Sequence, residues 1–578
     1  MRSFTAQSPV AKAISDGDDG VRELSANANA PRVGRRMVRR VTKRMVIDSL
    51  HLSAVAAVLG AAAMTLPGCF DLEGVPDRPP DMDDGDDGGG GTVDPEPEPR
   101  IDFASVNLEI QAGTQIYGSA TEESSLVITR GSTIDVNGTA GLPVIMAAVT
   151  LSDDGMIDDP DVTDLSGRGE WGGLAISGQG VSNTGFFDNP SNAVPNGASR
   201  FFGGDNNSEN SGSLRYTIIA EAGIDYDSGG RASGLALETV GSATEIDFVQ
   251  VLGSDSDCTT VLGGAVSVAH LVCVGAAEDS LEIGLGYQGD IQFALIRQGA
   301  TSGRRGIESS NNDMEIEATP LTAPNIANVL VLGNSGDAAA SDSIGAVHRQ
   351  GFAGRVYQSV FTDDTLATGS FEGGCVDIDQ PVAEGLRHFD SVFNCSGGRE
   401  TGIADPDDDA SEVGSYQQEA LDSGALNDAD SAAITVDATT LAVSGIDPAI
   451  PTSNLPDSLD AAPYYGAVNP DGSDNWWQGW TAVNSDYDGN LPGANLHPLE
   501  DEITRDSVVP AEENACTTIN PSFRDGGTVD VFGVMFPVCI IDQDIEQNTQ
   551  MPRDHVYVLR GTINVGDGDQ DGRIVEDE

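Results

Sequence analysis

The stretch that decides the fold runs from residue 233 to 299: SGLALETVG (233–241), TEIDFVQVLG (244–253), AVSVAHLVCVG (265–275), DSLEIGLGYQG (279–289) and DIQFALIRQG (290–299). Each run has strand length, is rich in Val, Ile, Leu and Phe, and closes on glycine. Runs of the same kind precede it: NLEIQAGTQIYG (107–118), SLVITRGSTIDVNG (125–138), GGLAISGQG (172–180) and LRYTIIAEAG (214–223). Others follow: NIANVLVLGN (325–334), GRVYQSVF (354–361) and LRHFDSVFN (386–394). No sustained 3.6-residue apolar stripe with caps at both ends appears among them. Hairpin meanders would call for Asn-Gly turns between strictly alternating strands. Here several runs are apolar on both faces and the pattern keeps returning. It predicts an all-β solenoid, a parallel β-helix in which three short strands make each coil and stacked coils bury a continuous core. Stacking tolerates long excursions between coils, and Asp153 to Arg168, Phe186 to Asn210 and Asp405 to Asp430 are polar enough to be such loops.

Upstream of these runs the texture changes twice. Residues 71–100 (DLEGVPDRPPDMDDGDDGGGGTVDPEPEPR) hold almost no apolar side chain, so they cannot bury enough surface to fold. They read as an extended, self-repelling acidic tether. Before them, the basic run from Arg35 to Arg44 leads into the apolar run from Leu52 to Leu66, then Pro67-Gly68-Cys69. An apolar run of that length is short for a membrane span and right for a signal peptide. Leu66-Pro67-Gly68-Cys69 resembles a bacterial lipobox, which predicts cleavage before Cys69, lipidation there (palmitate among the acyl groups) and a lipid-anchored place at the outer membrane or cell surface. Met37 makes the better start, so residues 1–36 are an irregular extension or misassigned start. The expected layout is therefore an extension at 1–36, a lipoprotein signal peptide at 37–68, the tether at 69–100, the β-helix at 101–482 and a C-terminal segment at 483–578.

Charge excludes some partners. The chain carries 92 acidic and 29 basic residues, for a formal charge of -63. Ten of the basic residues precede Cys69, and every basic residue after it is arginine. A mature chain so acidic is not built to hold nucleic acid or anionic headgroups through a basic surface.

The segments LEIQAGTQIYG, LVITRGSTIDVNGTAGLPVIM, GEWGGLAISG (169–178), FGGDNNSENSGSLRYTIIAEAG, GLALETVGSATEIDFVQVLGSDSDC and YYGAVNPDGSDNWWQGWT (464–481) resemble a family of large exported bacterial lipoproteins and secreted proteins. The Trp-Gly-Gly element and the closing Trp-x-x-Gly-Trp-Thr are the most specific of these. The resemblance implies a right-handed parallel β-helix outside the cytoplasm. The family has no established activity, so it implies no catalytic residue. In it, a segment like HVYVLRGTINVG stands just before the counterpart of LEIQAGTQIYG; here that segment lies at the far end, His555 to Gly566. Two readings follow: a second, truncated β-helix repeat, which the order of segments favours, or a tail that folds back onto the first coil near Asn107.

Beyond Cys69 six cysteines fall into sequential neighbours: Cys258 with Cys273, Cys375 with Cys395, Cys516 with Cys539. In an exported chain they are expected to form disulfides, and sequential pairing suits a coil-by-coil fold. The sharpest local motif is Asp567-Gly-Asp569-Gln-Asp571-Gly572-Arg573-Ile-Val-Glu-Asp-Glu578, which fits D-x-D-x-D-G-x5-E. Asp567, Asp569, Asp571, the Arg573 carbonyl and Glu578 would converge on one hard cation, so calcium is the expected cofactor; a plain solvated acidic tail is the rival reading. Acidic pairs such as Asp153-Asp154 and Asp363-Asp364 have the chemistry of glycosidase carboxylates, and Arg304-Arg305 that of an anion contact. The five histidines after Cys69 (His270, His348, His388, His497, His555) show no metal-ligand spacing. The function expected is a non-enzymatic envelope scaffold serving adhesive, structural, glycan-binding or cation-binding roles, with a surface protein or glycan as partner. The alternative is a carbohydrate-active β-helix enzyme, a lyase or hydrolase.

Overall fold

The computed structural model describes residues 105–566, apart from 160, 185–188, 191–200, 228, 300–302, 334–343, 365–370, 372–373, 379–384, 398–433, 447–450, 452–453, 474, 484–496 and 505–506. Cys69, the tether and the motif from Asp567 to Glu578 lie outside the described residues. What is described is a parallel β-helix. Its strands form a seventeen-stranded sheet, itself bent into two faces, and a nine-stranded sheet that makes the third face.

The first coil is Asn107–Gln111, Gln115–Ser119 and Ser125–Ile128, one strand per face, and the second is Thr133–Asn137, Val144–Val149 and Leu174–Ser177. In the third to seventh coils the first two faces share one bent strand: Gly212–Ala220, Glu245–Leu252, Ser267–Val274, Asp290–Arg297 and Asn325–Gly333. Strands in neighbouring coils pair in parallel, residue on residue, so like side chains stack. On the third face Ile128, Ile176, Leu237, Val261 and Ile283 form one inward column, all fully buried. A column of that kind explains why the runs are apolar and of equal length, since each coil buries its face only against the next. The polar excursion Asp153 to Arg168 is a loop between the strands Val144–Val149 and Leu174–Ser177, as expected.

The bend between the first two faces is made by a single residue. Tyr216, Phe248, His270, Phe293, Asn328, Gln358 and Asp390 all have φ between 46° and 60°, and the strand pairing skips each of the first five. A left-handed L-residue costs about 1–2 kcal/mol, and bulky side chains are unusual there. Stacking offsets that cost. Tyr216 lies on Phe248 (centroids 4.4 Å apart, 5° between planes), Phe248 on His270 (4.3 Å, 1°) and His270 on Phe293 (5.0 Å, 15°). Further along, the Asn328 amide donates to Tyr464 O (2.9 Å) and Gly466 O (3.3 Å).

A strap from Asp460 to Val483 covers this ladder and explains the closing aromatic motif. Trp480 packs edge-on to Tyr216 and Trp476 edge-on to His270, while Trp480 Nε1 donates to Trp476 O (2.8 Å). The strap ends on a buried ion pair: Arg297 Nε donates to Asp364 (2.7 Å) and Arg297 Nη1 to Val483 O (2.9 Å). With side-chain exposures of 4% and 0%, neither charge has water to fall back on. Asp364→Ala is therefore expected to cost about 3–5 kcal/mol, read as the shift of a denaturant midpoint; a variant within 1 kcal/mol of wild type would count against the pair as the strap's anchor.

The tail overturns the expectation of a truncated second repeat. Thr549–Met551 pairs with Leu108 to Ile110, Val556–Leu559 with Gln115 to Gly118, and Thr562–Val565 with Ser125 to Ile128, all parallel and in register. The C-terminal segment is thus a complete coil laid before the first one, the fold-back alternative. A hairpin of Arg524–Val531 and Val534–Ile541 continues outward from it, with Val538 to Ile541 pairing Val556 to Leu559. The reason is physical: an open first coil would leave a row of backbone donors and acceptors unpaired. It would also expose Leu108, Ile110, Ile116, Leu126 and Ile128, all of which are fully buried.

The disulfides join the expected partners, Cys258–Cys273, Cys375–Cys395 and Cys516–Cys539, with Cα separations of 6.1, 5.5 and 5.4 Å. The first ties neighbouring coils; the last holds the short helix Cys516–Ile519 to the hairpin.

Candidate functional site

The outward side of the third face carries the most chemistry. Its middle row runs Val127, Ala175, Ala236, Thr260, Glu282, Glu308, Val347, Asp377, one residue per coil. The first three make a small apolar floor. At the corner entering this face, Ser233, Asp257, Asp279 and Arg305 occupy equivalent positions two residues before or at the strand starts.

Four carboxyls meet there in two hydrogen-bonded pairs, Asp257 with Glu282 and Asp279 with Glu308. Backbone and hydroxyl donors fix them: Asp279 N donates to Asp257 (3.0 Å), Arg305 N to Asp279 (3.1 Å), and Thr260 Oγ1 to Glu282 (3.3 Å). Burial pushes the Asp257 carboxyl up to about 6 and, reinforced by the charges of Asp257 and Glu308, Glu282 up to about 8. Burial and its bond to Glu308 put Asp279 well above the ordinary range. For Glu308 burial acts the same way, but the hydrogen bond from Asp279 and the guanidiniums of Arg305, Arg349 and Arg304 outweigh it and hold its carboxyl below the usual value. Within each pair the carboxyl pushed up the more is the donor, Glu282 to Asp257 and Asp279 to Glu308. Arg305 and Arg349 both bridge to Glu308, and Arg231 and Arg304 hold Glu278 at its edge.

The spacing constrains the chemistry. Glycosidase carboxyls stand about 5–5.5 Å apart when one is a nucleophile and about 6.5–9.5 Å when a water attacks between them. Carboxyls in direct hydrogen bonds leave no room for a sugar or a water between the pair.

Inside the solenoid a second polar group stands in the apolar column. Ser309 Oγ and His348 Nδ1 are 2.6 Å apart, and His348 Nε2 and His388 Nε2 are 3.1 Å apart. All three residues are fully buried. Burial pushes His348 down to about 3, and burial with the neighbouring His348 holds His388 well below 6.5, so both are neutral. This group is walled off from solvent and is part of the packing.

Of the residues the sequence singled out, the cysteines meet and Arg305 joins the carboxyl cluster. Asp153 and Asp154 sit on the exposed loop, while Asp363 accepts from Phe371 N and Ser396 N, and Asp364 is taken by Arg297, so neither pair is assembled for catalysis. Among the described residues no group of three or more His, Cys, Asp or Glu could hold a metal ion. Sequence reasoning passed over Asp257, Asp279, Glu282 and Glu308. Aligning runs by their inward residues would have put Thr260, Glu282 and Glu308 in one column.

Coils in register on three faces and a one-residue bend between two of them define a parallel β-helix. Residues 102–369 match the family model for a pectate-lyase like beta helix domain. No curated protein and no solved structure is significantly similar to the chain.

Proposed function

We propose that this chain is a non-enzymatic cell-envelope protein, a rigid β-helix scaffold anchored by lipid at Cys69, whose third face makes contact with glycan. The observation that supports the non-enzymatic reading is the state of the cluster: Asp257 is bonded to Glu282 and Asp279 to Glu308, and Arg305 and Arg349 bridge to Glu308, so each carboxyl already has a partner within the protein. The floor of Val127, Ala175 and Ala236 and the flanking polar row suit a contact surface. In this reading the motif from Asp567 to Glu578 adds a calcium site. The carbohydrate-active alternative draws on the same cluster, because a protonated carboxyl beside an ionised one is the raw material of acid–base catalysis.

One experiment separates the two. The purified chain is incubated with acidic and neutral polysaccharides, and both retention on the immobilised glycan and release of reducing or unsaturated ends are measured. Retention without product is the expected result. Product formation that disappears in Glu282→Gln would replace the scaffold by an enzyme. The anchor is tested by metabolic labelling with a fatty-acid analogue, which should mark the wild type and not Cys69→Ser. Calorimetric calcium uptake should be lost in the Asp567→Ala, Asp569→Ala double variant; equal uptake would remove the metal.

A further inference from the structure

The imidazole of His497 is buried without a hydrogen bond. The residue is 5% exposed, and neither Nδ1 nor Nε2 has a partner. A buried donor and acceptor left unsatisfied bear their full desolvation cost. His497 opens a short helical segment that ends at Thr504, with Glu500 N donating to His497 O (3.1 Å) and Ile503 N to Leu499 O (2.9 Å). Leu499 and Ile503 are fully buried in the apolar layer on the outer side of the second face. That layer also holds Val531 and Phe536 of the hairpin and Val556 and Val558 of the tail coil. The segment is thus attached through apolar side chains, with an unsatisfied imidazole at its start.

The hairpin turn that meets His497 has an uncommon residue at its tip. Val531 pairs with Val534, so Phe532 and Gly533 alone make the turn, at φ of 51° and 82°. Such a turn favours Asn-Gly. A phenylalanine holds the left-handed position here with its ring edge-on to His497, centroids 5.0 Å apart and 72° between planes. The charges around the imidazole are acidic. Asp161, on the loop Asp153 to Arg168, is the one whose field reaches it. Asp530, beside the turn, accepts from Gly533 N (2.6 Å), and Glu500, Asp501 and Glu502 stand on the segment itself. None of these carboxylates bonds to the ring.

We propose that His497–Thr504 is an acid-released clip. Its closed seam accepts the neutral ring but offers no hydrogen-bond acceptor to a charged one. The ring therefore takes up a proton only when the segment lifts, and acid bares the apolar outer side of the tail coil. Lifting gives both ring nitrogens water and costs only the apolar contacts of the segment, the kind of attachment that opens locally before the fold does. Burial pushes the closed ring down to about 4, with Asp161 pulling the other way; a ring in water keeps its ordinary value near 6.5. The closed state is fully favoured above the ordinary value and loses ground as pH falls from there through the closed value. Between pH 7 and pH 5 the open fraction should rise about twentyfold. The clip lies on the outer side of the second face, so it works whether or not the third face binds glycan.

The test is hydrogen exchange on the full chain at pH 7 and pH 5, read by mass spectrometry and corrected for the intrinsic rate at each pH. In the wild type, peptides spanning residues 499–504 should lose protection about twentyfold on acidification. Peptides of the third-face strand Leu235–Glu238 should keep theirs. In His497→Phe, which fills the seam with a ring that takes no proton, the loss should vanish. Phe532→Asn, which suits the turn and lets water reach the imidazole, should shrink it. Equal protection of 499–504 at both pH values in the wild type would overturn the clip, as would an undiminished loss in both variants. A loss shared in step by Leu235–Glu238 would mean that the whole fold opens, and would overturn it too.

Discussion

A chain ending at Glu513 is expected to aggregate on expression, whereas a permuted chain that starts near His497 and joins Gly566 directly to Ser105 is expected to fold. The deletion removes the coil formed by Thr549–Met551, Val556–Leu559 and Thr562–Val565 together with its hairpin. Met551, Val556, Val558, Leu559, Ile563 and Val565 are all buried there, and five first-coil residues lose their cover at the same time. Each large apolar side chain contributes about 1.5–3 kcal/mol when buried, so the sum exceeds the 5–15 kcal/mol by which a domain is usually stable. The permutation should succeed because Val106 N donates to Ser132 Oγ (3.3 Å) while Gly566 lies against the same serine. One turn, like Thr129 to Ser132 between the first two coils, would close the gap. Size-exclusion profiles and far-ultraviolet dichroism of the two chains decide the matter: a soluble, folded truncation would mean the tail is an appendage.

Thermal stability should pass through a maximum in mildly acidic solution and fall on both sides. Buried histidines set the acid side. Burial pushes His348 down to about 3 and His497 to about 4, and holds His388 well below 6.5. The unfolded chain takes up these protons from about pH 6.5 downward and the fold does not, so stability is lost as pH drops from there through the folded values. Buried carboxyls set the alkaline side. Burial pushes Asp257 to about 6, Glu221 to about 7 and Glu282 to about 8, and raises Asp279 well above its usual value. The stabilisation from these protonated groups is complete below the ordinary carboxyl range and is lost as pH rises through 6 to 8. Each group tilts the profile by about 1.4 kcal/mol per pH unit within its window. Melting midpoints from pH 4 to 9 should show the alkaline slope flattened in Glu282→Gln and the acid slope flattened in His388→Phe. Unaltered slopes in both would show that other groups govern the profile.

Much of the solenoid was legible because its coils bury the same kind of side chain at the same place. The bend was not. TEIDFVQVLG reads as one strand, yet Phe248 has φ of 57° and splits it between two faces. Turn chemistry leads one to look for Gly or Asn at such a point, whereas here stacked rings and the tryptophan strap hold aromatic residues in that conformation. The carboxyl cluster escaped for another reason. Asp257, Asp279, Glu282 and Glu308 share no local motif, and only the coil register brings them together. The tail was undecided for a third: pairing Leu108 with Thr549 spans most of the chain and leaves no trace in neighbouring residues.

The tail coil also decides how the molecule carries load. Asn107–Gln111 is hydrogen-bonded on both sides, to Thr549–Met551 and to Thr133–Asn137. Tension entering at Val106 therefore pulls on an inner strand, and two ladders must give way before the first coil can peel. Without the tail the same pull would unzip an edge strand one bond at a time. A chain held by its N-terminus in flowing water would stay wound at forces that would unravel an uncapped solenoid.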